Sequence, residues 1–418
     1  MSKVLIDGFN LALRHGTGIQ TYGMTLLRTL VEMGHSTAVL YDRPSVYKET
    51  GLDEVSFWDR AEESELPRRK FLLSAARGAA GIDRLQRIEF SDRVIRPPKI
   101  PFTEVYNRPR AFQTSIALFR KTGLLSRFRA PRKPAVWHAT YPLPVRVRGV
   151  PTVTTIHDLI PLKLPYTTLD DKRYFYRIVK RALRDSTRIA AVSECTKRDI
   201  LSFFDVDPDR IVVTHQAFLE TPDSPDLVPE DRFLKLHGLD PGSFILFVGN
   251  IEPKKNVGRV LKAYAALDTE LPLVIVGRKA WLSDDELGPG LRQLGWREKT
   301  QLRMLDYVTR RELDILYRNA RLFVFPSLYE GFGLPPLEAM KHGCPVITSS
   351  TSSLPEVCGD AAVYVDPRSQ KEIRGAMERL LEDDELCRDL SGRGREQAKK
   401  FSAENYAKRL AVLYEGLI

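Results

Sequence analysis

The stretch that decides the fold is FVFPSLYEGFGLPPLEAMKHGCPVIT, from Phe323 to Thr348. The apolar run from Leu322 to Phe325 predicts a buried parallel strand that ends at the turn signal Pro326-Ser327. A glycine-containing loop follows, and a helix is predicted to start near Pro335, because proline suits the first helical position. The second apolar run, Pro345 to Thr348, predicts the next strand. The stretch is therefore one strand–loop–helix–strand unit of a parallel sheet.

Two carboxylates flank the loop and the helix start of this unit. Glu330 lies at the loop tip, and Glu338 lies eight positions later in the first turns of the helix. Free backbone N–H groups at a helix start, with glycines that permit close approach, suit a phosphate or a sugar hydroxyl. Because like charges repel, the carboxylates are predicted to accept hydrogen bonds from hydroxyls, one of a sugar and one of a ribose. An ordinary unit whose glutamate complements the helix dipole would show the same spacing.

The complete string resembles the E-x7-E signature of the retaining nucleotide-sugar transferases of glycosyltransferase family 4, including Gly-Phe-Gly and Glu-Ala-Met. The resemblance covers nearly the whole chain and is weakest at residues 45–135. It implies that Glu330 orients the sugar hydroxyls in catalysis and that Glu338 binds the ribose. It also implies donor contacts from the loop and the helix start, at Gly331, Phe332, Gly333 and Leu334.

Length and composition set the limits of the fold. With 418 residues and 43% hydrophobic content, the chain exceeds what a single core usually holds, so two domains are expected. No run approaches 18 apolar residues, and MSKVLIDGFN at the N-terminus indicates a strand rather than a signal peptide, so we expect no transmembrane helix. Cys195, Cys344, Cys358 and Cys387 show no paired spacing, which favours neither disulfides nor zinc and predicts a reducing cytosol.

The net charge of +10 is concentrated in one segment, Arg68 to Lys133, which has 17 Arg and Lys against four Asp and Glu. Within it, Ile116 to Phe128 is amphipathic, with Arg120, Lys121, Arg127 and Arg129 beside its apolar residues. Each basic residue near an anionic membrane contributes about 1 kcal/mol. The segment therefore predicts a peripheral position at the inner face of the plasma membrane, or contact with the diphosphate of a lipid-linked acceptor. A solvated basic face packed on the domain is the alternative.

Alternating strands and helices occur on both sides of Glu220 to Glu230, a proline-containing stretch that we interpret as a linker. We expect an N-terminal Rossmann-like domain over residues 1–219, completed by a C-terminal helix at about 402–418, and a second Rossmann-like domain over residues 220–401. The resemblance implies two facing doubly wound α/β domains of the glycosyltransferase-B type, with the active site in the cleft between them. The first domain would bind the acceptor and the second the nucleotide sugar.

The first half offers a glycine loop and one histidine. Gly16 and Gly18 precede an amphipathic helix, and the resemblance implies that Gly18 contacts the donor phosphate or the acceptor. His157 follows a predicted strand, and in an open α/β sheet this position faces the ligand crevice. It matches the family's strand-end histidine, which contacts the donor sugar and phosphate, so the resemblance implies that His157 is catalytic. Asp205 and Asp207 form a D-x-D pattern that we interpret as a turn rather than a metal site.

The second half offers cations after strand ends. Lys254 and Lys255 precede a helix, and we interpret them as clamps on a diphosphate, with Lys255 catalytic. The surrounding FVGNIEPKKN resembles mannosyltransferase-like members of the family, although Asn250 stands where many members have arginine. Further predicted donor contacts follow the next strands and are Arg278, Tyr307 and Val308.

The resemblance implies transfer of a hexose, mannose or a related sugar, from a GDP-sugar to a hydroxyl of a lipid-linked glycan acceptor. Polysaccharide or lipopolysaccharide biosynthesis would be its setting. A UDP-sugar-dependent transferase of the same family is an alternative. No cofactor and no metal are expected, because lysines and a helix start would stabilise the leaving diphosphate. A nucleotide-sugar epimerase, a dinucleotide dehydrogenase and a basic nucleic-acid-binding protein are the alternatives. His15-Gly16-Thr17-Gly18 lacks the third glycine of a dinucleotide fingerprint, and the basic segment contains no nucleic-acid recognition motif. Donor, acceptor, linkage and oligomeric state stay open.

Overall fold

The structure is a computed structural model that describes residues 2–12, 18–44, 52–59, 68–91, 94, 102–218, 229–295 and 297–418. The strands are β1 (Lys3–Asp7), β2 (Ser36–Tyr41), β3 (Gln86–Ile88), β4 (Glu104–Asn107), β5 (Ser126–Phe128), β6 (Val136–Ala139), β7 (Val145–Val147), β8 (Thr152–Ile156), β9 (Arg188–Ala191), β10 (Ile211–Val213), β11 (Ile245–Val248), β12 (Leu273–Val276), β13 (Leu302–Leu305), β14 (Leu322–Phe325), β15 (Val346–Ser349) and β16 (Ala362–Val365).

The helices are α1 (Gly18–Glu32), α2 (Asp53–Trp58), α3 (Arg68–Ala80), α4 (Ala111–Thr122), α5 (Ile160–Lys163), α6 (Lys172–Asp185), α7 (Glu194–Phe203), α8 (Glu230–Leu236), α9 (Val257–Ala265), α10 (Ser283–Leu294), α11 (Arg297–Gln301), α12 (Arg310–Asn319), α13 (Leu334–Lys341), α14 (Leu354–Cys358), α15 (Gln370–Glu382), α16 (Asp384–Lys399) and α17 (Ala403–Tyr414). Short 3-10 turns occupy Pro165–Thr167, Pro208–Arg210 and Pro253–Lys255. Gly16 and most of the predicted linker lie outside the described residues.

Among the described residues, the first sheet has the strand order β10-β9-β8-β6-β1-β2-β4-β3. Its pairs are parallel except for β3 with β4. All five residues of β8 are buried, as expected where helices cover both faces of a parallel sheet. The strand order reverses between β1 and β6, and ligands of such sheets bind at the carboxyl ends beside this switch point.

The second sheet has the order β13-β12-β11-β14-β15-β16 and is parallel throughout. The stretch quoted first forms β14, α13 and β15, as predicted. Pro335 and Pro336 occupy the first turn of α13, where their missing N–H groups cost nothing. The strand order reverses between β11 and β14, so the loops after these two strands form the crevice of this domain. The fold is the predicted pair of doubly wound α/β domains.

The last helix, α17, returns to the first domain. Tyr406, Leu410 and Leu413 share one buried apolar cluster with β1 and α1. The Tyr414 hydroxyl of α17 lies 2.5 Å from Nδ1 of His138, which belongs to β6 of the first sheet. Burial lowers the pKa of His138 to about 3, so this imidazole is neutral in the folded chain.

The amphipathic piece Ile116–Phe128 is not one interfacial helix. It contains the end of α4, a turn and β5. Phe119, Leu125 and Phe128 are each 2% exposed, because they pack against α6 and the first sheet. The prediction that the apolar side of this piece faces a membrane is therefore wrong for these three residues. The exposed side chains of this piece are Arg120, Lys121, Thr122, Leu124 and Arg127, and Arg129 directly after it is exposed as well.

Candidate active site

Glu330 and Lys255 form an ion pair at the carboxyl edge of the second sheet. Glu330 lies in the loop between β14 and α13, and Lys255 ends the 3-10 turn between β11 and α9. Lys255 Nζ donates to Glu330 Oε1 at 2.6 Å, and Ser327 Oγ donates to the same oxygen at 2.6 Å. The two charged side chains are only 14% and 11% exposed. The sequence predicted both residues for the site, and the structure brings them together.

Two lysines keep the Glu330 carboxylate ionised. Burial alone raises its pKa, but the charges of Lys255 and Lys254 and the hydrogen bonds from Lys255 and Ser327 outweigh burial, so the pKa lies below its ordinary value. An ionised oxygen is a stronger hydrogen-bond acceptor than a neutral one. This carboxylate is therefore suited to accept hydrogen bonds from sugar hydroxyls.

Lys254 lies among acidic groups of both domains. Its Nζ is 3.4 Å from Glu252 Oε1. Burial lowers the pKa of Lys254, but attraction to Asp158, Glu252 and Glu330 outweighs burial. The pKa therefore lies above its ordinary value, and the amine is cationic. Asp158 follows β8 in the first domain, and burial holds its pKa above the ordinary value despite the attraction of Lys254. The crevice thus contains a partly buried cation that interacts with both of its walls.

His157 lies at the end of β8, where the sequence predicted it. Its Nε2 is 2.8 Å from the Thr140 carbonyl oxygen. A carbonyl only accepts, so Nε2 carries the proton and Nδ1 is left as an acceptor. The ring packs edge-on against Tyr22 of α1, with 4.8 Å between centroids. Burial lowers the pKa of His157 to about 4, against a weaker opposing effect of the Thr140 bond, so the ring is neutral at physiological pH.

Asp7 is a residue of this edge that the sequence interpretation missed. It ends β1, is fully buried, and accepts a hydrogen bond from Thr140 N at 2.5 Å through Oδ2. Burial raises its pKa to about 6, although bonds from Thr140 and Phe9 oppose the shift. Thr140 therefore connects Asp7 to His157, since its N–H and its carbonyl bind the two side chains. The sequence signal was the Asp-Gly pair directly after an apolar strand.

Gly331 joins the two domains. A Cβ at this position would lie 2.0 Å from the His157 carbonyl oxygen, so only glycine fits. The Gly331 carbonyl accepts hydrogen bonds from Ser193 Oγ at 2.6 Å and from Thr196 Oγ1 at 3.2 Å. Thr196 Oγ1 also lies 3.1 Å from the His157 carbonyl oxygen. The loop that contains Glu330 is thereby fixed against the strand end that contains His157.

A second group of contacts between the domains surrounds α7. The Tyr329 hydroxyl donates to Asp199 Oδ2 at 2.6 Å, and Lys163 Nζ lies 2.7 Å from Asp199 Oδ1. Glu356 of α14 accepts hydrogen bonds from Glu194 N at 2.7 Å and Cys195 N at 3.0 Å. A carboxylate of the second domain thus binds the free N–H groups at the start of a helix of the first.

Glu338 is buried in α13 and already has two partners. Its Oε1 accepts a hydrogen bond from Arg310, and its Oε2 accepts one from the Tyr317 hydroxyl at 3.3 Å. Burial lowers the pKa of Arg310, but Glu338 and Asp314 raise it further, so the guanidinium stays charged. Each carboxylate oxygen has room for a second donor, so a ribose contact would add to these bonds. The sequence predicted Glu338 but not Arg310.

The other predicted donor residues differ in accessibility. Asn250 is exposed, and Arg278 lies over the Tyr307 ring, 5.6 Å from its centroid. Tyr307 is 70% exposed and therefore free to contact a ligand. The remaining residues are the partly buried Val308 and Leu334, the buried Gly333 at the start of α13, and the exposed Gly18 at the start of α1.

The Phe332 side chain, in contrast, does not face the crevice. It is buried among His215 and Phe401, at ring distances of 6.2 and 5.6 Å. Only the backbone of Phe332 remains for the predicted donor contact.

A cavity of about 150 Å³ lies beside His157, Asp158 and Lys254. Thr168 also lines it, and its buried hydroxyl has no hydrogen-bond partner within the described residues. Such an unpaired polar group favours a ligand with hydroxyls over an apolar one.

Asp205 and Asp207 lie elsewhere. Asp207 Oδ1 accepts a hydrogen bond from Asp209 N at 3.0 Å and so caps the 3-10 turn that follows. This is the turn that the sequence predicted. Within the described ranges, no three His, Cys, Asp or Glu side chains are grouped so that they could hold a metal ion.

Two family models match the chain, one for each half. The model described as "Glycosyltransferase Family 4" matches residues 16–217, and "Glycosyl transferases group 1" matches residues 233–397. Together they include His157, Lys254, Lys255, Glu330 and Glu338, whereas Asp7 lies before the first matched residue.

Known proteins resemble the chain in sequence and in fold. O-antigen chain mannosyltransferase B of Escherichia coli is 37% identical over 60% of this chain and 67% of its own length. Serotype-specific mannosyltransferase WbdA of Escherichia coli is 33% identical over 64% of this chain, but the match spans only 34% of WbdA. The solved structure of sucrose-phosphate synthase from Thermosynechococcus elongatus superposes with a TM-score of 0.66, over 100% of this chain and 99% of that one, at 17% identity. That likeness concerns the fold alone.

Proposed function

This chain belongs to glycosyltransferase family 4 and is a glycosyltransferase, and from that premise we propose that it transfers a hexose, mannose, from GDP-mannose to a hydroxyl of a glycan acceptor with retention of configuration. The named mannosyltransferases among its relatives support the choice of sugar. The names of the two relatives refer to O-antigen and serotype, which supports a role in polysaccharide or lipopolysaccharide biosynthesis.

The observation that carries the proposal is the buried pair of Glu330 and Lys255 with Lys254 beside it. A hydroxyl-binding carboxylate next to two cations suits a substrate that has a sugar at one end and a diphosphate at the other. Before the donor binds, Lys255 forms an ion pair with the ionised Glu330 carboxylate. A diphosphate would attract the same lysine, so donor binding and release of the Glu330 carboxylate for sugar hydroxyls are expected to occur together.

In the proposed reaction the lysines and the start of α13 stabilise the negative charge of the leaving diphosphate. His157 does not contribute a positive charge, because it is neutral. Its Nδ1 instead accepts a hydrogen bond from a donor hydroxyl, while Thr140 fixes the ring. We propose no side-chain general base. The departing phosphate oxygen takes the proton of the acceptor hydroxyl, so that the C–O bond to phosphate breaks as the C–O bond to the acceptor forms.

The nucleoside end would lie farther along the second sheet. Glu338 is the proposed ribose acceptor, and Arg310 and Tyr317 hold its carboxylate in place. Tyr307 and Val308 follow β13 and are proposed to line the base. We further propose that the enzyme works without a metal ion, because Lys254 and Lys255 provide the cationic charge that a metal ion would supply.

The acceptor is proposed to be lipid-linked and to be met in the cytoplasm at an anionic membrane surface. Segment Arg68–Lys133, with its net charge of +13, supports this location. Among the helices of the described residues, none is both long and apolar enough to cross a bilayer.

A donor screen that measures nucleotide release tests the proposal. The chain is incubated with GDP-mannose, other GDP-hexoses and UDP-hexoses, and Lys255→Met is included as the inactive reference. Release of GDP from GDP-mannose with wild type, and about a hundredfold less with Lys255→Met, is the expected result. If only UDP is released, the donor is a UDP-sugar and the proposed GDP donor is wrong. Release from none of the donors, or interconversion of sugar nucleotides without transfer, would overturn the proposed reaction.

A further inference from the structure

A second and larger cavity, of about 830 Å³, lies on the first domain away from the crevice. We name it the α6 cavity. Its walls are α6, the end of α4, and the end of α7 with the turn that follows it to Arg210. Helix α6 begins beside the carboxyl edge of the sheet, 15 residues after His157, and its 14 residues extend over about 21 Å. The cavity is lined by the part of α6 from Tyr176 onwards, so it lies toward the opposite edge from the active site.

One wall of the α6 cavity is a stripe of cations. The spacing i, i+3, i+4, i+7 places four of them on one side of α6: Arg177, Lys180, Arg181 and Arg184. Arg210 lines the cavity from the other side, and the lining carboxylates are Asp205 and Asp207. Asp207 caps its own turn. Asp185 beside the cavity pairs with Arg181 and Arg184, so five cations face three carboxylates, and the remaining positive charge attracts anions.

A buried guanidinium behind the stripe adds to the positive charge near the α6 cavity. Arg146 of β7 is 8% exposed, and its Nε and Nη2 have no hydrogen-bond partner within the described residues. It interacts electrostatically with Arg181 and Asp185, so it lies close to the end of α6. Asp185 is already paired with two arginines, since its carboxylate oxygens lie 2.5 Å from Arg181 Nε and 2.9 Å from Arg184 Nε. An anionic group at the stripe would offset this accumulation of arginine charge.

The other walls of the α6 cavity are apolar. Tyr176 stacks on Phe204 with 5.0 Å between ring centroids. Phe119 and Leu183 are buried lining residues, whereas Tyr176 and Phe203 are 37% and 36% exposed at the rim. Aromatic side chains that are half-exposed beside cations are typical of surfaces that meet a bilayer interface, where the ring enters the headgroup region. A small hydrophilic anion would leave these rings unused.

We propose that the α6 cavity is a docking site for the anionic phospholipid headgroups of a membrane. The cation stripe binds headgroup phosphates, and Tyr176 and Phe203 enter the interface. The position of the site also fits the acceptor proposed above. Docking at this end of α6 would leave the crevice open about 20 Å farther along the helix, within reach of a glycan whose lipid anchor stays in the bilayer. The site is separate from the residues proposed for catalysis.

Vesicle flotation tests this proposal. The full chain is mixed with vesicles of phosphatidylglycerol and phosphatidylcholine, or of phosphatidylcholine alone, at low and high salt. The cavity variant Lys180→Glu/Arg184→Glu is compared with Arg292→Glu/Lys299→Glu, which makes the same charge change at exposed sites of the second domain. Phe203→Ser tests the apolar rim. Nucleotide release without vesicles serves as the fold control for every variant.

Wild type is expected to float only with the anionic vesicles and less at high salt. The cavity variant should bind about tenfold or more weakly and Phe203→Ser several-fold more weakly, while the second-domain variant stays within about twofold of wild type. Equal losses in both charge variants, unchanged binding of the cavity variant, or equal binding to neutral vesicles would overturn the proposal. Displacement by pyrophosphate with no effect of Phe203→Ser would assign the cavity to a free anion. Flotation as expected without nucleotide release from any donor would refute the proposed reaction but not this site.

Discussion

Replacing Glu330 with glutamine is expected to destabilise the second domain. At 2.6 Å and an effective dielectric constant of about 20, the attraction of Lys255 to Glu330 is about 6 kcal/mol, and desolvation of both ions offsets much of it. Neutralising one partner leaves a buried charge unpaired, which usually costs about 3 to 5 kcal/mol. Glutamine retains one oxygen as an acceptor, so we expect the lower end, about 3 kcal/mol. For a domain of this size that corresponds to a melting temperature lower by about 6 to 12 °C.

The same substitution is expected to lower turnover by about two orders of magnitude or more, because the negative charge that orients the sugar hydroxyls is lost. A second substitution separates the two effects. Glu330→Gln/Lys255→Met also removes the unpaired cation, so it should regain most of the lost stability. It should not regain turnover, since neither charged group of the pair remains.

Scanning calorimetry and nucleotide release measure the two quantities on the same preparations. Glu252→Gln is the matched control, because Glu252 lies in the neighbouring loop at 3.4 Å from Lys254 and is more exposed than Glu330. It should change the melting temperature by no more than a few degrees. Wild-type turnover in Glu330→Gln would remove this residue from the mechanism. Equal melting temperatures of the single and double variants would refute the unpaired lysine as the cause of the instability.

Three further outcomes are expected. Acidification from about pH 6.5 to 4 should destabilise the chain, because His138 and His157, with pKa values lowered to about 3 and 4, bind protons in this range only on unfolding. Asp7, with its pKa raised to about 6, binds its proton more readily in the folded chain, so it offsets part of the lost stability. Urea midpoints that stay constant over this range would contradict the assignment. Turnover should survive excess EDTA, and complete loss that manganese or magnesium restores would return attention to Asp205 and Asp207. GDP should raise the melting temperature more than UDP does, and the reverse order would rule out the GDP donor.

The local units of this fold were predictable from the sequence. Short apolar runs next to glycine or proline predict buried parallel strands, and β11 and β14 follow that rule. Strand β8 contains three threonines, and its signal is instead the β-branched residues that follow Pro151. Because functional residues of such sheets follow strand ends, His157, Lys254 and Glu330 could be located in the loops before any partner was known.

The partners of these residues could not be predicted in the same way. Lys255 and Glu330 are 75 positions apart, and Asp199 and Tyr329 are 130 apart. Their pairing depends on the strand order and on the contact between two domains, and neither leaves a local pattern. The prediction that the apolar side of Ile116–Phe128 faces a membrane was wrong for a related reason. Amphipathy shows that one side is apolar, but Ile178 of α6, not the sequence pattern, decides that protein rather than membrane covers Phe119 and Leu125.

The contacts between the domains fix the loop that contains Glu330 against the strand ends of the first domain. Tyr329 directly precedes Glu330 and is bound to Asp199, and Gly331 directly follows it and is bound to Ser193. The loop is therefore held by the first domain on both sides of the carboxylate that belongs to the second. Separation of the domains would break both bonds and would remove Asp158 from Lys254. Lys255, Lys254 and Ser327, which keep Glu330 ionised, all belong to the second domain, so contact between the domains fixes the position of this carboxylate rather than its charge.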